Sequence, residues 1–212
     1  MLKRRHFTLS LLALVGQGFG ASAQAAKAAR ILVVGDSLSA EYGLTRGTGW
    51  VHLLRQQVQQ ERPGTEVINA SISGETTSGG RSRLAALLQQ HQPTHVLIEL
   101  GGNDALRGLP LSMTEDNLLN MTRQAKAAGA QVLLLGMQMP PNYGPEMTRA
   151  FAALYAQLAK SQNVGLVPFF LRGVADDAEP LKWFQADRIH PNEAAQARLL
   201  ANVWPQLKKQ LK

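Results

Sequence analysis

Cysteine is absent from the 212-residue chain. That absence removes disulfide staples, thiolate metal sites and a cysteine nucleophile together, so any chemistry falls to serine, histidine, acids or amides. Aromatic residues make up only 6% of the sequence and are not interleaved with its basic residues. A basic, aromatic-studded nucleic-acid surface is therefore excluded. The conspicuous apolar run near the start, "LSLLALVGQGFG", is too short and too rich in glycine to make a good membrane span.

Residues 1–25 instead have the layout of a removed bacterial export signal. Lys3, Arg4 and Arg5 form the basic start, the apolar run follows, and Ala21-Ser22-Ala23 supplies a small-residue cleavage pattern. Arg4-Arg5 with Phe7 two places on also resembles a twin-arginine signal, so either export route fits. A periplasmic or secreted protein is expected, with the working domain over 26–212. Of the formal charge of +7, three units sit in the leader, which leaves +4 scattered over an ordinary solvated surface.

Past the leader, short apolar runs alternate with stretches of helical period. The expected strands are Ile31–Val34, Glu66–Asn69, His95–Leu100, Gln131–Leu135 and Gly165–Pro168, mostly aliphatic throughout, as in strands covered on both faces. The expected helices are Trp50–Gln60, Gly80–Gln90, Met113–Ala128, Glu146–Gln162 and Glu193–Lys208. The third is preceded by a capping-box spacing, Ser112-Met-Thr-Glu115. Five alternations predict an α/β fold: three α/β/α layers around a doubly wound, five-stranded parallel sheet, flavodoxin-like in arrangement.

Such sheets bind ligands at the carboxyl ends of their strands. Strand one ends in Gly35-Asp36-Ser37, strand two in Asn69-Ala-Ser-Ile-Ser-Gly74, and strand three in Gly101-Gly-Asn-Asp104. The loop after the last strand carries Asp187-Arg-Ile-His190. All four clusters converge on one edge, and together they suit acyl transfer. Ser37 needs a base, and His190 is the only histidine expected there. Asp187, three residues earlier, can hold the imidazole tautomer. Ser37 N–H, Gly74 N–H and the Asn103 amide are placed to meet an oxyanion. Because the base must start neutral, activity is expected to fall in acid.

Gly35-Asp-Ser-Leu-Ser39, Gly74, Gly101-Gly-Asn-Asp104 and Asp187-x-x-His190 resemble the four ordered blocks of the SGNH (GDSL) hydrolase superfamily. The connecting "NASISGETTSGG", "IELGGNDALRG", "PPNYGPEM", "LVPFFL" and "DRIHPN" are similar to its acyl-CoA thioesterase I, lysophospholipase L1 and arylesterase branch. The similarity runs from Ile31 to Trp204. It implies Ser37 as nucleophile, His190 as base and then acid, Asp187 as its orienter, and Gly74 with Asn103 in the oxyanion hole. It also implies no metal, no organic cofactor, and a loop at Ala105–Pro110 that moves on substrate binding. Gly35-x-Ser37-x-Ser39 lacks the second glycine of the α/β-hydrolase elbow, so a short helix after strand one is expected to carry the nucleophile.

Asp36 and Asn69 are candidates for supporting the site, and Asp104 for supporting its loop. Leu106, Leu109, Met139 and Tyr143, with Met137, are candidates for an acyl groove. The expected enzyme is a monomeric serine esterase and thioesterase acting on small acyl ester or thioester substrates, with no nucleic-acid partner and no membrane span once the leader is gone. Three alternatives stand beside it: a carbohydrate O-deacetylase of the same fold, a metal-dependent phosphoesterase using Asp36, Asp104, Asp187 and His190, and a lipid- or glycan-binding protein without turnover.

Overall fold

A computed structural model describes residues 28–139 and 143–211. The leader expected at 1–25, and Pro140-Pro141-Asn142 of the "PPNYGPEM" stretch, lie outside the described residues. Five parallel strands form one sheet in the order β2-β1-β3-β4-β5. They span Arg30–Gly35, Glu66–Asn69, His95–Glu99, Gln131–Leu135 and Gly165–Val167, in chain order from β1 to β5. β1 and β3 carry Ile31–Val34 and Val96–Ile98, almost wholly buried. Central strands need apolar residues on both faces because helices cover both.

The helices are α1 (Trp50–Glu61), α2 (Thr77–His91), α3 (Gly102–Leu106), α4 (Leu111–Ala127), α5 (Pro145–Gln162) and α6 (Gln196–Gln210). α1 buries Trp50, Val51, Leu54 and Val58; Leu53, expected on that face, is only half-buried. α2 starts three residues before its expected first turn because the Thr76 hydroxyl caps it by accepting from Gly79 N–H. The capping box expected at Ser112–Glu115 is not used. α4 begins at Leu111 behind Pro110, with no side-chain cap, so both residues fall inside the helix. The last helix is preceded by a tighter turn over Glu193–Ala195. Because every strand is parallel, the loops after β1 to β5 all emerge at one edge, and the candidate residues follow them there.

Candidate active site

β1 delivers Gly35-Asp36-Ser37 out of the core. A side chain on Gly35 would put its Cβ 2.7 Å from Glu99 Oε2 and 2.8 Å from Ser39 Oγ, so only glycine fits this crossing. The expected short helix does not form; Ser37 sits on consecutive turns over residues 37–43. The physical reason is local competition for backbone groups. Asp36 Oδ1 accepts the Leu38 N–H at 3.0 Å, and Glu41 adopts a left-handed φ of 59° while its carboxylate accepts from Gly47 and Gly49 N–H.

Ser37 Oγ–H donates to His190 Nε2 at 2.9 Å, and His190 Nδ1–H donates to Asp187 Oδ2 at 2.6 Å. The Asp187 carboxylate also accepts from the Ile189 and His190 backbone N–H groups, at 2.9 and 3.0 Å. These bonds, the imidazole's first among them, hold its pKa down at about 2. Asp187 is thus a fixed negative charge that selects the Nδ1–H tautomer and leaves Nε2 to take the serine proton. The turn bearing them is clamped by Gln185, whose backbone N–H donates to His190 O at 2.8 Å and whose amide donates to Tyr42 O at 2.8 Å. The Tyr42 ring lies 4.4 Å from the imidazole, centroid to centroid.

Among the described residues, the Ser37 and Gly74 N–H groups have no protein acceptor. Gly74 holds a left-handed φ of 76°, open to glycine at no steric cost, and its carbonyl accepts from Arg107 at 2.7 Å. The Asn103 amide lies alongside, with its hydrogens directed at Asp36 Oδ2 and Glu75 O, each at 3.0 Å. The resting structure therefore presents two backbone donors outright and a half-buried side-chain amide that is already engaged. Glu75 is braced by Arg83, which also donates to Ala70 O. Asn69 ties the end of β2 to the nucleophile turn, donating to Ser39 O at 2.7 Å.

Beneath this layer lies a buried polar group absent from the sequence expectations. Glu99, fully buried at the end of β3, accepts from Ser39 Oγ at 2.7 Å and from Asp36 N–H at 3.3 Å. The Trp50 indole N–H donates to the same Ser39 oxygen at 3.2 Å. Burial, with Asp36 close by, raises the Glu99 pKa well above the usual carboxylate range. Burial also raises Asp36 to about 6, against the opposing bonds from Leu38 and Asn103. The available signal was an acid inside an otherwise apolar strand.

Leu109, Met139 and Tyr143 line a cavity of about 170 Å³, closed by Leu111, Met147 and Phe151. Leu106, expected with them, is half exposed and is not part of the lining. Met137 is buried elsewhere in the core. A larger cavity of about 480 Å³, near Phe169, Arg172 and Asn202, contains none of the residues above. Asp104 turns away from the site, its carboxylate held by Thr77 N–H at 2.9 Å and Thr114 Oγ1 at 3.2 Å. The acids of the phosphoesterase alternative thus do not gather, and among the described residues no group of three or more side chains could hold a metal ion.

The model of the GDSL-like Lipase/Acylhydrolase family matches residues 33–198, which include every candidate named at this edge. The chain belongs to that family. Within it, the sequence is 51% identical over 185 residues to "Esterase TesA" of Pseudomonas aeruginosa, covering 87% of this chain and 90% of that protein. It is 47% identical over 173 residues to "Thioesterase 1/protease 1/lysophospholipase L1" of Escherichia coli K12, covering 82% and 80%. To the "Arylesterase" of Vibrio mimicus it is 41% identical over 193 residues, covering 91% and 95%. A crystal structure of TesA, 51% identical, superposes with a TM-score of 0.82 over 86% of this chain and 99% of that one.

Proposed function

We propose that the protein is a serine esterase and thioesterase that hydrolyses carboxylic esters and thioesters through an acyl-enzyme on Ser37. The observation that carries this reading is the unbroken chain Ser37 Oγ, His190 Nε2, His190 Nδ1, Asp187 Oδ2, at 2.9 and 2.6 Å. His190 takes the serine proton as Ser37 Oγ attacks the carbonyl carbon. The oxyanion is met by the Ser37 and Gly74 N–H groups, and the Asn103 amide joins by exchanging the Glu75 carbonyl for it. His190 then protonates the leaving alkoxide or thiolate, and water repeats the cycle on the acyl group.

The apolar cavity bounded by Leu109, Met139 and Phe151 supports an acyl or aryl group over the acetyl-sugar of the deacetylase alternative. Cavities of about 150 Å³ take up a benzene-sized molecule. A volume near 170 Å³ therefore suits an aryl ring or a short to medium acyl chain. With an export leader at 1–25, the enzyme works in the periplasm or outside the cell, on esters met there.

The test is covalent labelling by a fluorophosphonate together with hydrolysis of aryl esters of increasing acyl length. Labelling at Ser37, lost in a folded Ser37→Ala variant along with turnover, is the expected result. Retention of esterase activity by that variant refutes the mechanism.

A further inference from the structure

All seven large apolar side chains that are exposed among the described residues lie on the edge that carries the active site. Tyr42 follows β1, Ile72 follows β2, Leu106 follows β3, Tyr143 and Met147 follow β4, and Leu181 and Ile189 follow β5. The loops of the opposite edge, at 61–65, 91–94, 127–130 and 162–164, expose none. One of the seven stands apart from the nucleophile turn, the Gly74 loop and the cavity: Leu181, on the turn Pro180–Trp183, is 61% exposed.

Single exposed apolar residues are ordinary, but their confinement to one rim is not. The rim also carries cations. Arg107 follows Leu106, Arg188 precedes Ile189, Arg149 stands two residues beyond Met147, and Arg46 lies on the loop with Tyr42. None of these four arginines makes an ion pair among the described residues. Most acids of the same edge are engaged: Asp187 by His190, Glu75 by Arg83, Asp177 by Lys182 and Arg198, and Glu41 and Glu193 by backbone N–H groups. Glu146 at the start of α5, and Glu115 and Asp116 near the start of α4, have no partner among the described residues.

From this arrangement we infer that the rim is a docking surface for an anionic lipid aggregate, which seats the mouth of the active site on the layer holding its substrate. The apolar side chains stand on separate loops around an opening and do not form one flat face. That distribution suits insertion among acyl chains, with the neighbouring arginines at the level of phosphate groups. A protein partner, including a second copy, would want a continuous packed patch. The inference rests on the proposed ester hydrolysis only for its purpose; binding itself is separable from turnover.

The experiment compares full-length protein and variants in the inactive Ser37→Ala background, by co-flotation with vesicles. One set contains phosphatidylglycerol and phosphatidylcholine in equal parts, the other phosphatidylcholine alone. Residues 1–27 are common to every sample, so differences report the rim. The expected result is preferential partition onto the anionic vesicles, weakened about tenfold by Leu181→Asp, and weakened by Arg149→Glu on the anionic set. Added salt should release the parent.

In the Ser37-intact chain, the Leu181→Asp variant keeps the parental kcat/KM on a soluble aryl ester and loses turnover on dispersed lysophospholipid. Equal partition of the parent and Leu181→Asp overturns the inference. So does a concentration-dependent dimer that Leu181→Asp dissolves while vesicle binding is unchanged. If the Ser37-intact parent binds anionic vesicles but hydrolyses no ester, the ester reading falls and the docking surface stands.

Discussion

Ser37 and Ser39 stand two residues apart on the same turns, and their surroundings give them opposite fates. Ser37 Oγ meets an imidazole whose other nitrogen is bonded to a carboxylate. Ser39 Oγ is locked between the Trp50 indole and a fully buried Glu99. The sequence distinguished them because Asp187-x-x-His190 had to return to the same edge. Asp36 and Asn69, expected as supports, bond the backbone of the nucleophile turn, as short polar side chains at strand ends do. Asn103 could be named but not drawn, because which hydrogens of an amide are already taken depends on three separate loops. Its engagement with Asp36 and Glu75 leads to a prediction. Asn103→Ala should lower kcat by about 10²–10³-fold with KM less affected, and should also loosen the Asp36 side chain, visible as a shift of that carboxyl in NMR titration. A rise in KM with kcat unchanged would remove Asn103 from the oxyanion hole.

At the scale of elements, strands were legible because a sheet covered on both faces demands continuous apolar runs, and all five end within a residue of expectation. Helix starts were less so. Ser112 and Glu115 have capping spacing, yet Pro110 already terminates the preceding chain, and the helix begins behind it. Glu99 escaped notice because its role depends on β1 and β3 being neighbours. The Glu99 pKa is raised on folding, so the native state holds that proton more tightly than the unfolded chain does. Stability from it is present at low pH and declines as pH rises above its ordinary value of 4.5; Asp36 adds the same sense between 3.8 and about 6. Urea unfolding across this range should therefore show Glu99→Gln with a flatter decline than the parent. Parallel curves would mean that Glu99 titrates alike in both states.

For the molecule as a whole, one buried cluster runs from Ile31 to Leu211 and ties all five strands to the flanking helices. Leu97, fully buried in β3, is far enough inside to separate stability from chemistry. Leu97→Ala should lower unfolding free energy by about 2–5 kcal/mol, and leave kcat unchanged well below the melting temperature, as read by thermal denaturation beside an ester assay. The doubly wound order was readable from the alternation of periods, and Leu109, Met139 and Tyr143 could be named for a groove, but not the cavity they line, because its walls come from four segments whose meeting only packing decides. The hydrogen bond between Ser37 and His190 spans 153 positions of chain. During synthesis, that serine is an ordinary alcohol until residues 187–190 have been made and folded back, so the growing chain holds its nucleophile long before it holds the base that activates it.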